Sequence, residues 1–304
     1  MLSLRDKIKG SLYGAFIGDA LGHQVDGYSI HQARDLFYKV DRYKNRGTNT
    51  KHFPLIPLLR RTDETIEPEN YKFILVPSDD ISSCINVLPA LFAKLAGKEY
   101  CKYNITDLSK IISINHTTRA AHLAIFIYIR ALINLFQTEI NEFDEHNFCF
   151  SVDDACIIVS MPTYHKPLIL ESRFNLLVDK IHALSKLSRL LPKTVHQNHK
   201  LDAANLFRYE LSDMYSMQSK FGKNNGKPEN IIYLIAQICK NPCTIETLYK
   251  IITEGNAASL NGAVIGSLLG ALHGYQFFPG RLISGLENYT KIDEAIEFFL
   301  RGIT

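Results

Sequence analysis

Two rows of glycine constrain this chain more than any other feature. One lies in Glu254–Pro279, with glycines at 262, 266, 270 and 274. At 3.6 residues per turn, a spacing of four lays them along one side of a helix. Ala263, Val264, Ile265, Leu268, Leu269, Ala271 and Leu272 stand between them. A helix that is apolar all round is buried. Glycine weakens a helix by about 1 kcal/mol relative to alanine, so four on one side call for the close approach of another backbone. The run is too short and too punctuated for a membrane span, and Gly274 and Pro279 end it.

The second row is in Lys9–His23, with glycines at 10, 14, 18 and 22. Two such faces can pack ridge into groove with their axes unusually close. Either the rows meet each other or each meets a different neighbour. Asp19 interrupts the apolar surface of this second helix. A buried carboxylate is costly unless it is paired, hydrogen-bonded or bound to a metal.

The chain has 304 residues, enough for a large core. Matching rows near both ends favour a single domain over 1–304. A net charge of +3 gives no strong field for nucleic acid. Six cysteines, at 84, 101, 149, 156, 239 and 243, lack zinc-ribbon pairing and the density of a disulfide scaffold. They read as reduced thiols. Met1–Ile8 is charged, and the apolar stretch after it carries Asp19 and four glycines. We therefore expect no signal peptide, no membrane partner and a cytoplasmic location.

Strand signals are rare, so the expected class is all-α. Helices are expected over Leu4–Leu21, Ser29–Tyr38 with Ser29 as N-cap, Ile81–Ala96, Thr106–Ile114, Arg119–Phe136, Phe174–Leu191, Ala203–Met217, Ile231–Cys239, Ile245–Thr253 and Ile292–Arg301. Residues 41–70 read as a long loop or insertion. Glu139–Phe150 reads as a connection, and 220–229 as a turn-rich linker.

Several polar clusters could carry chemistry. Ser78-Asp79-Asp80 places a hydroxyl and two carboxylates at an expected helix start. They can cap that helix or hold Mg²⁺, which prefers carboxylate and water oxygens. His116 precedes another helix start. Asp153-Asp154 is expected to cap a helix, and His196 and His199 read as solvated.

The order of these pieces resembles the ADP-ribosylglycohydrolase family, which includes the dinitrogenase-reductase-activating glycohydrolases. The resemblance is carried by Gly10–Gly22 with its GDALG, by Ser78–Asp80, by His116 and by Asn261–Gly274. It implies an all-α, compact enzyme of the ADP-ribosylglycohydrolase type, with two Mg²⁺ ions in a cleft, that cleaves the bond between ADP-ribose and an acceptor. It implies Ser78, Asp79 and Asp80 as one set of metal ligands. Asp26 falls where the family usually has Glu, so Asp26 and Asp80 become the catalytic candidates. His116, Asn261, Gly255 and Asn256 become substrate-binding candidates.

The second ligand motif, Gly-Asp-x-Asp-Thr, does not survive. Its aspartates fall on Ala257 and Ser259, and its threonine falls on Leu260. Mg²⁺ needs hard anionic oxygens, and Glu254 and Asn256 are the nearest replacements. The expectation is therefore one Mg²⁺ at most. The partner expected is ADP-ribose or an ADP-ribosylated macromolecule, bound with little hydrolysis. Anions favour helix N-termini with or without a metal, so helix starts are expected to face the phosphates. Two alternatives are a hydrolase with a one-metal or rearranged centre, and a non-catalytic scaffold for protein contact.

Overall fold

The computed structural model describes residues 2–44, 119–159, 171–189 and 226–303, with short pieces at 59, 84–85, 87–89 and 91–92. Every regular element among them is helical, as expected. Ser78, Asp79, Asp80, His116, His196 and His199, and most of 41–70, lie outside the described residues.

Helix α1 (Leu4–His23) starts where Ser3 accepts a hydrogen bond from the Asp6 amide. Helix α2 (Ile30–Phe37) starts at Ser29, as expected. Gln32 returns the bond to the Ser29 backbone, so two free amides at that end are satisfied at once. Helices α3 (Arg119–Gln137), α4 (Glu145–Val159) and α5 (Glu171–Arg189) follow. The C-terminal part comprises α6 (Ile231–Lys240), α7 (Glu246–Thr253), α8 (Ala258–His273), α9 (Gly280–Ser284) and α10 (Tyr289–Ile303).

Two sequence expectations need correction here. The connection expected over Glu139–Phe150 ends early, because Asp144 caps a helix by accepting from the Asn147 amide at 2.8 Å. Asp153-Asp154 therefore lies inside α4 and starts nothing. Asp153 instead meets His182 of α5, Oδ1 to Nδ1, at 3.0 Å. Any Asp can cap, and the one nine residues upstream took the role.

The two glycine rows face each other. A Cβ added to Gly14 would lie 1.9 Å from the Gly266 carbonyl oxygen, and one on Gly18 would lie 1.9 Å from that of Gly262. Gly10 meets Gly270 and Gly274, and Gly22 meets Ala258. Each step of four along α1 is thus a step of four back along α8, so the two helices run antiparallel in fixed register. Backbone lies on backbone, which only glycine permits over four successive turns.

This pair is the centre of the molecule. The side chains of α1 and α8 that flank the seam are buried almost without exception. Helix α3 packs against α8, where the Tyr128 and Ser267 hydroxyls share a hydrogen bond. Residues 120–137 of α3 form the one described stretch long and apolar enough to cross a membrane, and 78% of it is buried in this core. Lys7 holds α3 from the other side. Its Nζ is buried and donates to the carbonyls of Leu135 (3.2 Å), Phe136 (3.1 Å) and Thr138 (2.6 Å), where the last turn of a helix leaves oxygens free. Helix α10 is pinned to α1 by Tyr13, which donates to Asp293 at 2.5 Å, and by Arg5 and Lys9 on Glu297.

Candidate functional site

Of the site candidates, Asp26, Gly255, Asn256 and Asn261 are described, and they lie where the glycine seam ends. Helix α1 runs out at His23, and the chain turns through Val25, Asp26 and Gly27 to Tyr28. Directly opposite, α7 runs out at Thr253, and the chain turns through Glu254, Gly255 and Asn256 into α8. The Gly27 amide donates to the Asn256 carbonyl at 2.7 Å, and the Asn256 amide donates to the Tyr28 carbonyl at 2.6 Å. These bonds clasp the two turns together.

Gly255 and Asn256, two of the substrate-binding candidates, build this clasp. Gly255 has φ +72°, and a Cβ there would stand 2.2 Å from the Tyr28 carbonyl oxygen. Asn256 has φ +56°, a left-handed conformation that asparagine tolerates better than most residues. Its side chain is exposed beside the clasp. Asn261 is fully buried. Its Nδ2 donates to the Ala257 carbonyl at 2.8 Å, and its Oδ1 accepts from Asn230 at 2.6 Å. That bracket ties the first turn of α8 to the start of α6.

Asp26 reaches across the clasp to the start of α8. Its Oδ1 accepts from the Ser259 amide at 2.9 Å, and its Oδ2 accepts from the Ser259 hydroxyl at 2.5 Å. The residue preceding α8 is Ala257, whose side chain caps nothing. Asp26 therefore supplies from 233 residues away the cap that local sequence lacks. A carboxylate suits that place, because helix N-termini carry free amides and a partial positive charge. At the start of α8 an internal anion thus holds the Ser259 amide. His23 Nδ1 stands 3.8 Å from Asp26 Oδ2.

Two further carboxyls lie close by and are buried. Asp19 is fully enclosed, and neither oxygen has a hydrogen-bond partner among the described residues. Burial, and after it the charge of Asp26, pushes its carboxyl well above the usual carboxylate range. Glu254 accepts from the Tyr233 hydroxyl at 2.6 Å, while its Oε2 has no partner among the described residues. Burial raises it from 4.5 to about 7, against the opposing pull of the Tyr233 bond and the charges of Lys250 and Arg34. Nothing in the apolar run of 231–239 marked Tyr233 as a partner, and only the fold brings it to Glu254.

Residues 177–303 match the family model of the ADP-ribosylglycohydrolases. That segment is similar to the ADP-ribosylglycohydrolase family. A solved structure of an "ADP-ribosylglycohydrolase-related protein complex" covers 99% of this chain and 99% of its own at 16% identity, with a TM-score of 0.40. That likeness is too loose to bear on the site. No curated protein matches the chain.

The matched segment holds α8 and its glycine row. Helix α1 lies outside it and joins it through the seam, carrying Asp19 and Asp26 to the start of α8.

The family resemblance implies a pair of Mg²⁺ ions, and the donors at 257–260 do not fit one. Ala257 offers no oxygen. Leu260 is apolar, and both side chains lie against Gly226, where an added Cβ would be 2.9 Å from Ala257 and 3.3 Å from Leu260. Ser259 gives its hydroxyl proton to Asp26. Glu254 faces Tyr233. Among the described residues, no three carboxylate, histidine or cysteine side chains stand together as a ligand set.

Proposed function

We propose that this protein is an ADP-ribosylglycohydrolase-like protein that binds ADP-ribose or an ADP-ribosylated partner, with two-Mg²⁺ hydrolysis weakened or lost. The observation that carries the proposal is the direct bond between Asp26 and Ser259. In the family pattern both positions are acidic. Two carboxylates at that separation repel each other and need a cation between them. Here one has become a hydroxyl, and a hydrogen bond does the work of the ion. The carboxylate that would orient a water is also engaged by two donors, the Ser259 amide and hydroxyl, which occupy the oxygens a water would need.

The family segment and the seam that positions it support retention of the binding cleft. Asn256, exposed beside the clasp, and the half-buried His23 beside Asp26 are the described side chains that would meet such a ligand. With the start of α8 already capped, the pyrophosphate would take its donors from elsewhere in the cleft.

Calorimetric titration with ADP-ribose, with and without Mg²⁺, tests the binding, and no heat in either condition rejects it. Incubation with Arg- and Ser-linked ADP-ribosylated protein tests the loss of turnover. Release of ADP-ribose that Asp79→Ala or Asp80→Ala abolishes would make the protein an active one-metal hydrolase instead.

A further inference from the structure

Two cysteines far apart in sequence meet in the core. Cys149 on α4 and Cys239 on α6 are both buried, with their sulfurs 3.4 Å apart. Cys84 is also buried, with its Sγ 3.9 Å from the Ala124 carbonyl oxygen, and Cys243 is exposed. A disulfide requires its sulfurs about 2.05 Å apart, so a closure of a little over 1 Å, within the reach of small χ1 changes, separates this pair from a bond.

We propose that Cys149 and Cys239 form an intramolecular disulfide in an oxidising glutathione environment, latching α4 to α6 behind the candidate site. The step is a thiol–disulfide exchange. One cysteine attacks glutathione disulfide, releasing one glutathione and forming a mixed disulfide. The second cysteine displaces the other glutathione. The Sγ–Sγ bond replaces the bond in glutathione disulfide, two protons leave the protein thiols, and two electrons pass to the two glutathione thiols.

The position gives the latch a consequence. Helix α6 carries Tyr233, which holds Glu254 immediately before the clasp. Asn230, at its start, brackets Asn261 in the first turn of α8. Fixing α6 therefore stiffens the supports of the turn that meets Asp26. Burial also sets the kinetics. Cys239 is enclosed, and burial followed by the neighbouring Cys149 pushes its thiol up, so little thiolate forms in the closed fold. Exchange needs opening of the core, so the latch closes during folding or in slow equilibrium.

The test uses the full chain, unfolded in urea and refolded in glutathione buffers running from fully reduced to fully oxidised. Acid quenching, thiol blocking and peptide mapping then locate the bonds. The expected result is a Cys149–Cys239 linked peptide that appears as the buffer becomes oxidising. With it the thermal midpoint should rise by roughly 5 °C or more, because the bond closes a loop of about 90 residues. Cys149→Ser and Cys239→Ala should each remove both the linkage and the rise. Recovery of both residues as blocked free thiols from folded protein in the oxidised buffer would overturn the proposal. So would pairing of either one with Cys84, Cys101, Cys156 or Cys243. The mapping is made on the unaltered chain, so a variant that fails to fold leaves the test intact.

Discussion

Substituting Gly18 by alanine tests the seam directly. The added Cβ would stand 1.9 Å from the Gly262 carbonyl oxygen, 2.2 Å from its carbon and 2.7 Å from the Ala263 nitrogen. Ordinary contact begins at about 3.4 Å, so the two backbones must separate locally by about 1.5 Å. Neither can rotate a side chain aside, because the obstacle is main chain. A gap of 0.5–1 Å already forfeits roughly a quarter to a half of each dispersion contact, and the neighbouring glycine pairs share the displacement. Overpacking of a rigid core costs about 1–3 kcal/mol, occasionally more. Alanine returns about 1 kcal/mol through its better helix propensity. Backbone against backbone belongs at the upper end, so we expect a net loss of roughly 2–3 kcal/mol. For a chain of this size that is a fall in thermal midpoint of roughly 3–5 °C, read by circular dichroism and confirmed by urea denaturation. Gly280→Ala is the control, because its Cβ would meet nothing within 4 Å. If Gly18→Ala melts with the parent or above it, the two helices are not in backbone contact and the account of the core is wrong.

The remaining predictions follow from individual polar contacts. Glu254, raised from 4.5 to about 7, binds its proton more tightly folded than unfolded. Its burial therefore costs nothing below about pH 4.5, and the cost grows as pH rises through 7, reaching roughly 3 kcal/mol at about 1.4 kcal/mol per tenfold change in proton affinity. Glu254→Gln should stabilise the protein at pH 8 and be nearly neutral at pH 4.5, and a difference between variant and parent that does not change with pH would count against this. Lys7→Met keeps the length of the side chain but leaves the carbonyls of Leu135, Phe136 and Thr138 without their donor. A loss of about 2 kcal/mol in urea denaturation is expected from charge-assisted bonds in a buried place. Asp26→Ala removes the cap of α8 and should cost about 1–2 kcal/mol, with faster hydrogen exchange at the Ser259 amide; unchanged exchange there would show that the cap is not formed. Restoring Asp at 257 and 259 together with Thr at 260 should raise Mg²⁺ affinity measured by calorimetry if the Ser78–Asp80 half of the pattern is competent.

Much of the architecture was legible because it is local. A spacing of four needs no tertiary knowledge to place glycines on one helix face, and Ser29 announces a helix start by its own chemistry. The misplaced cap has a simple cause. Asp153-Asp154 and Asp144 are equally able to cap, and only packing selected between them. Gly255 and Asn256 are singled out because the resemblance puts them beside the second metal motif. In the fold their left-handed backbone shapes a turn.

The sequence by itself determined the helical class, the two glycine faces and the absence of anionic ligands at Ala257 and Ser259, since each is a property of residue type and short-range spacing. The tertiary structure decided the rest. It set the antiparallel register of α1 on α8, the capping of α8 by a residue 233 positions away, the enclosure of Asp19 and Glu254, and the meeting of Cys149 with Cys239. Those depend on which surfaces exclude water from one another, and no local rule of spacing encodes distance through space.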